Sequence, residues 1–225
     1  MTQEKPLDFL LLGPAAPYRG GIAVTQHALA KSLTDLGYKV KLFTFTKLYP
    51  ALLFPGKTQF TAEPENQPLS IDRKVHAYHP FQWKSVAKSI NQLHPKAVVF
   101  RYWTPFLAPC YNAIAKRLNP SIKKVGWVDN WQAHEPKSWD RFLTQRFEKS
   151  MDLFSTLSSA VAKEIKGNSQ KKIWGKMHPI EANLPPKVDQ KEARKKLNLP
   201  EDKTAILFFG LIRPYKGLAL LIEAL

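Results

Sequence analysis

A single cysteine, Cys110, is all that the 225-residue chain carries, so no intrachain disulfide can form and the composition suits the cytosol. Its neighbours Pro109 and Tyr111 mark it as a packing residue. Acidic residues are scarce as well. Eighteen Asp and Glu stand against 34 Lys and Arg, which leaves a formal net charge of +16. That imbalance points to an acidic partner, such as nucleic acid, an anionic membrane face or a phosphate-bearing substrate, with a merely solvated basic surface as the plainer alternative. Long apolar runs are missing too. The longest, such as 9–12 and 205–209, are strand-sized, and no segment reads as a signal peptide or a membrane span. The expectation is a soluble, cytoplasmic protein whose contact with a membrane, at its inner face, is peripheral.

Other absences narrow the chemistry. No cysteine spacing and no H-x-x-x-H supports a metal site. No zinc, RRM or helix-turn-helix signature accompanies the charge, so a nucleic-acid partner is not expected. A dinucleotide site needs G-x-G-x-x-G in the first turn and an acidic residue after the second strand. The sequence has Gly13 and then Gly20-Gly21, and its second strand runs out through Thr44, Phe45, Thr46 and Lys47, so an NAD-dependent oxidoreductase is not expected.

What is present is an alternation. With 44% hydrophobic and 12% aromatic residues the chain can bury a sizeable core. Short apolar runs at 8–12, 39–44, 71–78, 97–101, 124–128 and 153–157 read as strands. Between them, helical periodicity covers 21–36, closed by Gly37, and 81–93, 106–118, 138–150 and 159–165. Strands so uniformly apolar, separated by helices, predict a doubly wound parallel α/β sheet covered on both faces. Residues 47–68 read as irregular. Around a short helix at 190–197, the stretch 183–203 has the Pro-rich, charged composition of a linker. Beyond it, 206–209 reads as a strand leading through a glycine turn into an apolar helix.

Ligands of such sheets sit at the carboxyl ends of the strands. After the first strand, Gly20 and Gly21 open a helix whose free N–H groups and positive dipole end can hold a phosphate, or they simply make a tight turn. After the strand at 124–128, "VDNWQAHEPKSWDR" gathers Asp129, His134, Glu135 and Asp140 at the sheet edge for acid–base or electrostatic work, while Glu135 and Asp140 equally suit the start of the next helix. After the strand at 97–101, Arg101, Tyr102 and Trp103 are expected on the rim, as a carbohydrate or lipid contact, a stacking platform, or hydrophobic packing.

Four stretches, "GPAAPYRGGIAVTQHALAKSLTDLGYKV", "DNWQAHEPKSWDR", "TLSSAVAKEI" and "LFFGLIRPYKGLALLIEAL", give the sequence a family resemblance. It resembles the retaining GT-B glycosyltransferases of family 4, the group-1 glycosyltransferases, over essentially its full length. The resemblance implies two Rossmann-like domains, the first facing the acceptor and the second the donor. It places an acceptor-side domain at 1–184, a hinge at 185–203 and the first βα unit of the donor domain at 204–225. It implies transfer of a sugar from a nucleotide diphosphate sugar to an acceptor hydroxyl with retention, in cell-envelope glycan or polysaccharide synthesis. The donor serves as co-substrate without a cofactor, and no bound metal is expected, in line with the absence of a DxD-like pair beside a strand.

Residue by residue, the resemblance assigns Gly20, Gly21, Arg213 and Lys216 to the donor phosphates and Asp129, His134 and Glu135 to the catalytic edge, while Arg101 and Trp103, the cation and aromatic after the strand at 97–101, are the acceptor-side candidates. Arg213 adds the bidentate contacts that a lysine cannot. Two departures stand out. Asp129 occupies the place where many members have a histidine, and Leu211 follows Gly210 where the commoner pattern has arginine. The family's spaced glutamate pair, which holds the donor, is absent, so the resemblance implies weak donor binding by this stretch alone. The basic segment 116–124, "KRLNPSIKK", read as helical, would suit anionic lipid beneath a lipid-linked glycan acceptor. A non-catalytic α/β domain that binds acceptor or polyanion is the alternative.

Overall fold

Four consecutive apolar residues, Phe9–Leu12, form strand β1, and three of them are fully buried, which is why the run does not alternate with polar residues. The computed structural model describes residues 6–50, 60, 69–133, 136–179, 185–210, 212 and 216–225. Six further strands follow: β2 (Val40–Lys47), β3 (Ile71–His76), β4 (Ala97–Tyr102), β5 (Lys123–Val128), β6 (Leu153–Thr156) and β7 (Lys172–Gly175). They lie in the order β3-β2-β1-β4-β5-β6-β7, every neighbouring pair parallel. Leu12 sits level with Phe43 on one side and Phe100 on the other, so β2 and β4 both run on past the end of β1 at the carboxyl edge. The order reverses between β1 and β4, the topological switch point where such sheets open a crevice at their carboxyl edge.

Helices α1 (Gly21–Asp35), α2 (Pro80–Leu93), α3 (Ala108–Ala115), α4 (Asp140–Ser150) and α5 (Ser159–Lys166) connect the strands. Side chains of alternate strand residues divide the core into two layers. Leu11, Leu42, Val99 and Trp127 pack with Leu29, Ala30 and Leu33 of α1. On the other face Leu10, Leu12, Val98 and Phe100 pack with Val86 and Ile90 of α2, Tyr111 and Ile114 of α3 and Phe147 of α4. Gly126 admits this packing, since a Cβ there would lie 2.6 Å from the Phe154 ring. The doubly wound α/β architecture expected from the alternation is the architecture observed.

Local differences have physical reasons. The helix expected at 106–118 begins as a 3-10 turn, Pro105–Leu107, and α3 then starts afresh at Ala108 because Pro109 belongs in a first helical turn. It ends at Ala115, so the basic segment 116–124 is a turn around Asn119 and Pro120 followed by the start of β5 rather than a helix. Strand β7 escaped the reading because Lys172 and Gly175 flank only two apolar residues at a sheet edge. Residues 51–59 and 61–68, within the stretch read as irregular, lie outside the described residues. No helix among the described residues is long and apolar enough to cross a membrane.

The chain divides into two compact units, Met1–His178, which holds the sheet, and Pro179–Leu225. In the second, Asp189 caps α6 (Gln190–Lys196) by accepting from the N–H groups of Lys191 and Glu192 at 2.9 and 3.3 Å. Helix α7 (Leu218–Glu223) follows Gly217, whose φ of 72° puts it in the left-handed region. The strand expected at 206–209 is not formed. A parallel strand needs a neighbour to complete its hydrogen bonds, and none is present among the described residues of this unit. Leu207 and Phe209 are exposed.

Candidate functional site at the carboxyl edge of the sheet

The loop from β1 to α1 is held from three sides. The Gly13 N–H donates to the Phe43 carbonyl at 3.1 Å, Ala15 donates to the Thr44 hydroxyl at 2.9 Å, and Ala16 donates to His27 Nε2 at 3.0 Å. Thr44 lies within β2 and His27 within α1, so strand and helix fix the loop between them. Gly13 is required by proximity. A Cβ at that position would meet the Arg101 Cβ at 2.7 Å and the Gln26 amide nitrogen at 2.8 Å. At the mouth of the loop, Gly20 has φ 113° and ψ 165°, a region that only glycine occupies without strain. No atom lies within 4 Å of where a Cβ on Gly20 or Gly21 would stand, and no side-chain cap closes the start of α1.

Arg101, one residue before the end of β4, is 2% exposed, which corrects its expected place on the rim. Its guanidinium is fully engaged on one edge: Nε and Nη2 donate to the two carboxylate oxygens of Asp129, each at 2.6 Å. Nη2 also donates to the Thr25 hydroxyl at 2.8 Å, and the guanidinium lies 3.7 Å from the centre of the Trp127 ring. The bidentate pairing and the aromatic face together explain how a cation is tolerated at this depth. Asp129 stays 22% exposed and is tied to β4 by its N–H, which donates to the Tyr102 carbonyl at 2.8 Å. Arg101 is therefore the group that aims Asp129 at the edge. Arg101 Nη1 and both amide atoms of buried Gln26 have no hydrogen-bond partner among the described residues.

Tyr102 is buried rather than on the rim, stacked on Phe147 with ring centres 4.1 Å apart and hydrogen-bonded to Thr144 at 2.9 Å. Burial pushes its phenol up from the ordinary value. Trp103 is half-buried and donates from Nε1 to the Tyr49 hydroxyl at 2.8 Å. Burial raises the Tyr49 phenol, against the opposing effect of that bond. Burial also pushes the Cys110 thiol up, as expected of a packing residue. His76 is held below the ordinary histidine value by desolvation first, then by the charges of His79 and Lys47.

The sheet edge thus brings together Gly20, Gly21, Thr25, Arg101 and Asp129. Asp140 stands in the first turn of α4, where its carboxylate accepts from the Lys137 N–H at 2.9 Å. His134, Glu135 and Arg213 lie outside the described residues, and Lys216 is exposed in the second unit, just before α7. Sequence reasoning missed Thr25 and Trp127 as partners of Arg101. Their only signal was position, one turn into α1 and two residues before Asp129. No group of three or more metal-ligating side chains forms among the described residues.

No protein-family model matches the sequence, and no curated protein matches it. Among solved structures, a sucrose-phosphate synthase from Thermosynechococcus elongatus is similar with a TM-score of 0.51 and 14% identity, over 87% of this chain and 53% of that one. An alpha-glucosyltransferase in complex with UDP and a 13-mer DNA containing an HMU base is similar with a TM-score of 0.50 and 12% identity, over 77% of this chain and 43% of that one. The chain spans about half the length of these structures. At such identities the likeness is one of fold, and it agrees with the seven-stranded parallel sheet described above.

Proposed function

We propose that the chain belongs to a nucleotide-sugar glycosyltransferase of the retaining, group-1 type, which adds a sugar to a glycan or lipid-linked acceptor in cell-envelope or polysaccharide synthesis at the cytoplasmic face of the membrane. The observation that carries this reading is the placement of an arginine-braced carboxylate, Asp129, and an open, glycine-led helix N-terminus at the switch point of a doubly wound sheet. In the transfer, the acceptor oxygen bonds to the anomeric carbon as the bond from that carbon to the diphosphate breaks. The electron pair leaves with the nucleoside diphosphate, and the hydroxyl proton passes to the departing phosphate oxygen. Gly20 and Gly21 would offer N–H groups to that charge, with Arg213 and Lys216 assigned to it by resemblance. Asp129 would hydrogen-bond the sugar or balance positive charge at the reacting carbon, with His134 and Glu135 as secondary participants. The reading assigns no metal and no cofactor.

The test is calorimetric titration with UDP, GDP and their sugars, for this chain and for this chain joined to a donor-binding Rossmann-like domain. Binding by the lengthened chain, alone or together with this one, supports the reading, and binding by neither overturns it. A second reading, a polyanion-binding domain without catalysis, is favoured by one feature. A groove of about 730 Å³ on α2 is lined by Lys84, Lys88, His94 and Arg117, with no acidic side chain among its lining residues.

A further inference from the structure

A second cavity, of about 420 Å³, lies at the same carboxyl edge on the α2, α3 and α4 side of the sheet. It is within the size range of small-molecule sites. Its walls come from three successive strand ends: Tyr78 follows β3, Thr104 and Phe106 follow β4, and Trp139 and Asp140 lead into α4, with Trp83 of α2 at the back. We infer that this cavity binds a pyranose ring, as the site for the sugar unit of the acceptor.

Several of its aromatic faces are fixed in place. The Trp83 indole N–H donates to the His76 carbonyl at 2.9 Å. Phe106 is stacked on Tyr49, ring centres 5.7 Å apart, and Tyr49 in turn accepts from Trp103. Trp103 therefore acts from behind the wall, as a positioning residue. Tyr78 and Trp139 are the exposed rings, at 39% and 56%, with the Lys137 ammonium 5.5 Å from the centre of the Trp139 ring. The polar groups are few: the Asp140 carboxylate, held by the Lys137 N–H, with Thr104 and Lys137 itself also in the lining. A pyranose presents an apolar C–H face to aromatic rings and a rim of hydroxyl donors to a carboxylate and a hydroxyl. A hydrocarbon tail would match the rings but would desolvate the Asp140 carboxylate without adding a donor to the one it has from the Lys137 N–H. The chemistry is the same for a free glycan and for the sugar head of a glycolipid.

The inference rests on the transferase reading only for the role given to the sugar, and its test is independent of donor. Saturation-transfer NMR on the 225-residue chain would use methyl glucoside, methyl mannoside, methyl galactoside, N-acetylglucosamine and cellobiose at millimolar concentration, with octyl glucoside and octanoate as the lipid arms. Transfer to the ring protons of at least one pyranoside is expected, falling about fivefold or more in Trp139→Ala and in Tyr78→Ala. Both side chains are exposed, so circular dichroism should show both variants folded. Stronger binding of octyl glucoside than of the free sugars would assign the source as a glycolipid head. Transfer from no pyranoside, signals unchanged in both variants, or octanoate lost in the same variants would overturn the inference. Pyranoside binding without any nucleotide-sugar binding in the titrations above would instead remove the transferase reading and leave the pocket standing.

Discussion

Arg101 and Asp129 form a pair whose cost and benefit are both set by depth. The guanidinium is 2% exposed and the carboxylate 22%, so each neutralises the other where water cannot. Removing one partner of such a pair leaves an uncompensated charge and costs about 3–5 kcal/mol, whereas replacing both by apolar groups of similar volume is often close to neutral. Asp129→Asn and Arg101→Met are therefore each expected to lower urea stability by about that amount, and the double variant Arg101→Met/Asp129→Leu by much less. Urea midpoints for the two single variants and the double one check this. If the double variant loses as much as the sum of the singles, the two residues act separately.

At the scale of the element, the entry to α1 separates two glycines that read alike in the sequence. Gly20 has a backbone conformation closed to other residues, so Gly20→Ala is expected to cost about 1–3 kcal/mol. Gly21 is the first helical residue with open space around it, so Gly21→Ala should leave stability unchanged or raise it by about 0.5–1 kcal/mol. Thermal unfolding of the two variants distinguishes them, and equal losses would show that the open space is needed for folding itself. Elements whose stability comes from burial were legible in this way before any coordinates. Strand β1, and β4 as far as Phe100, announce themselves as unbroken apolar runs because both faces are buried. Edge strand β7 and the Pro109 restart of α3 do not, because neighbours and backbone chemistry decide them rather than periodicity. The segment at 206–209 shows the converse, an apolar run that forms no strand where no neighbour is present among the described residues.

Across the whole molecule, the candidate site was legible in its positions and not in its geometry. Spacing put Asp129 and the two glycines at the sheet edge, but only the parallel register of β4 and β5 brings Arg101 under Asp129, and only the meeting of three strand ends makes the aromatic cavity. Charge is the other property that belongs to the whole. The ion pairs that do form, such as Lys41 with Asp72 at 3.2 Å and Lys96 with Asp8 at 2.7 Å, leave the net +16 to repel itself across the surface. Raising ionic strength from about 0.01 M to about 0.15 M shortens the Debye length from about 30 to about 8 Å, which screens long-range repulsion more than close pairs. The melting temperature of the chain is therefore expected to rise over that range. The triple variant Lys84→Glu/Lys88→Glu/Arg117→Glu, which empties the α2 groove of most of its positive charge, should melt higher at low salt and respond less to added salt. A melting temperature that falls with salt would mean that close ion pairs outweigh the net repulsion, and it would remove the electrostatic ground for a dedicated anionic partner at that groove.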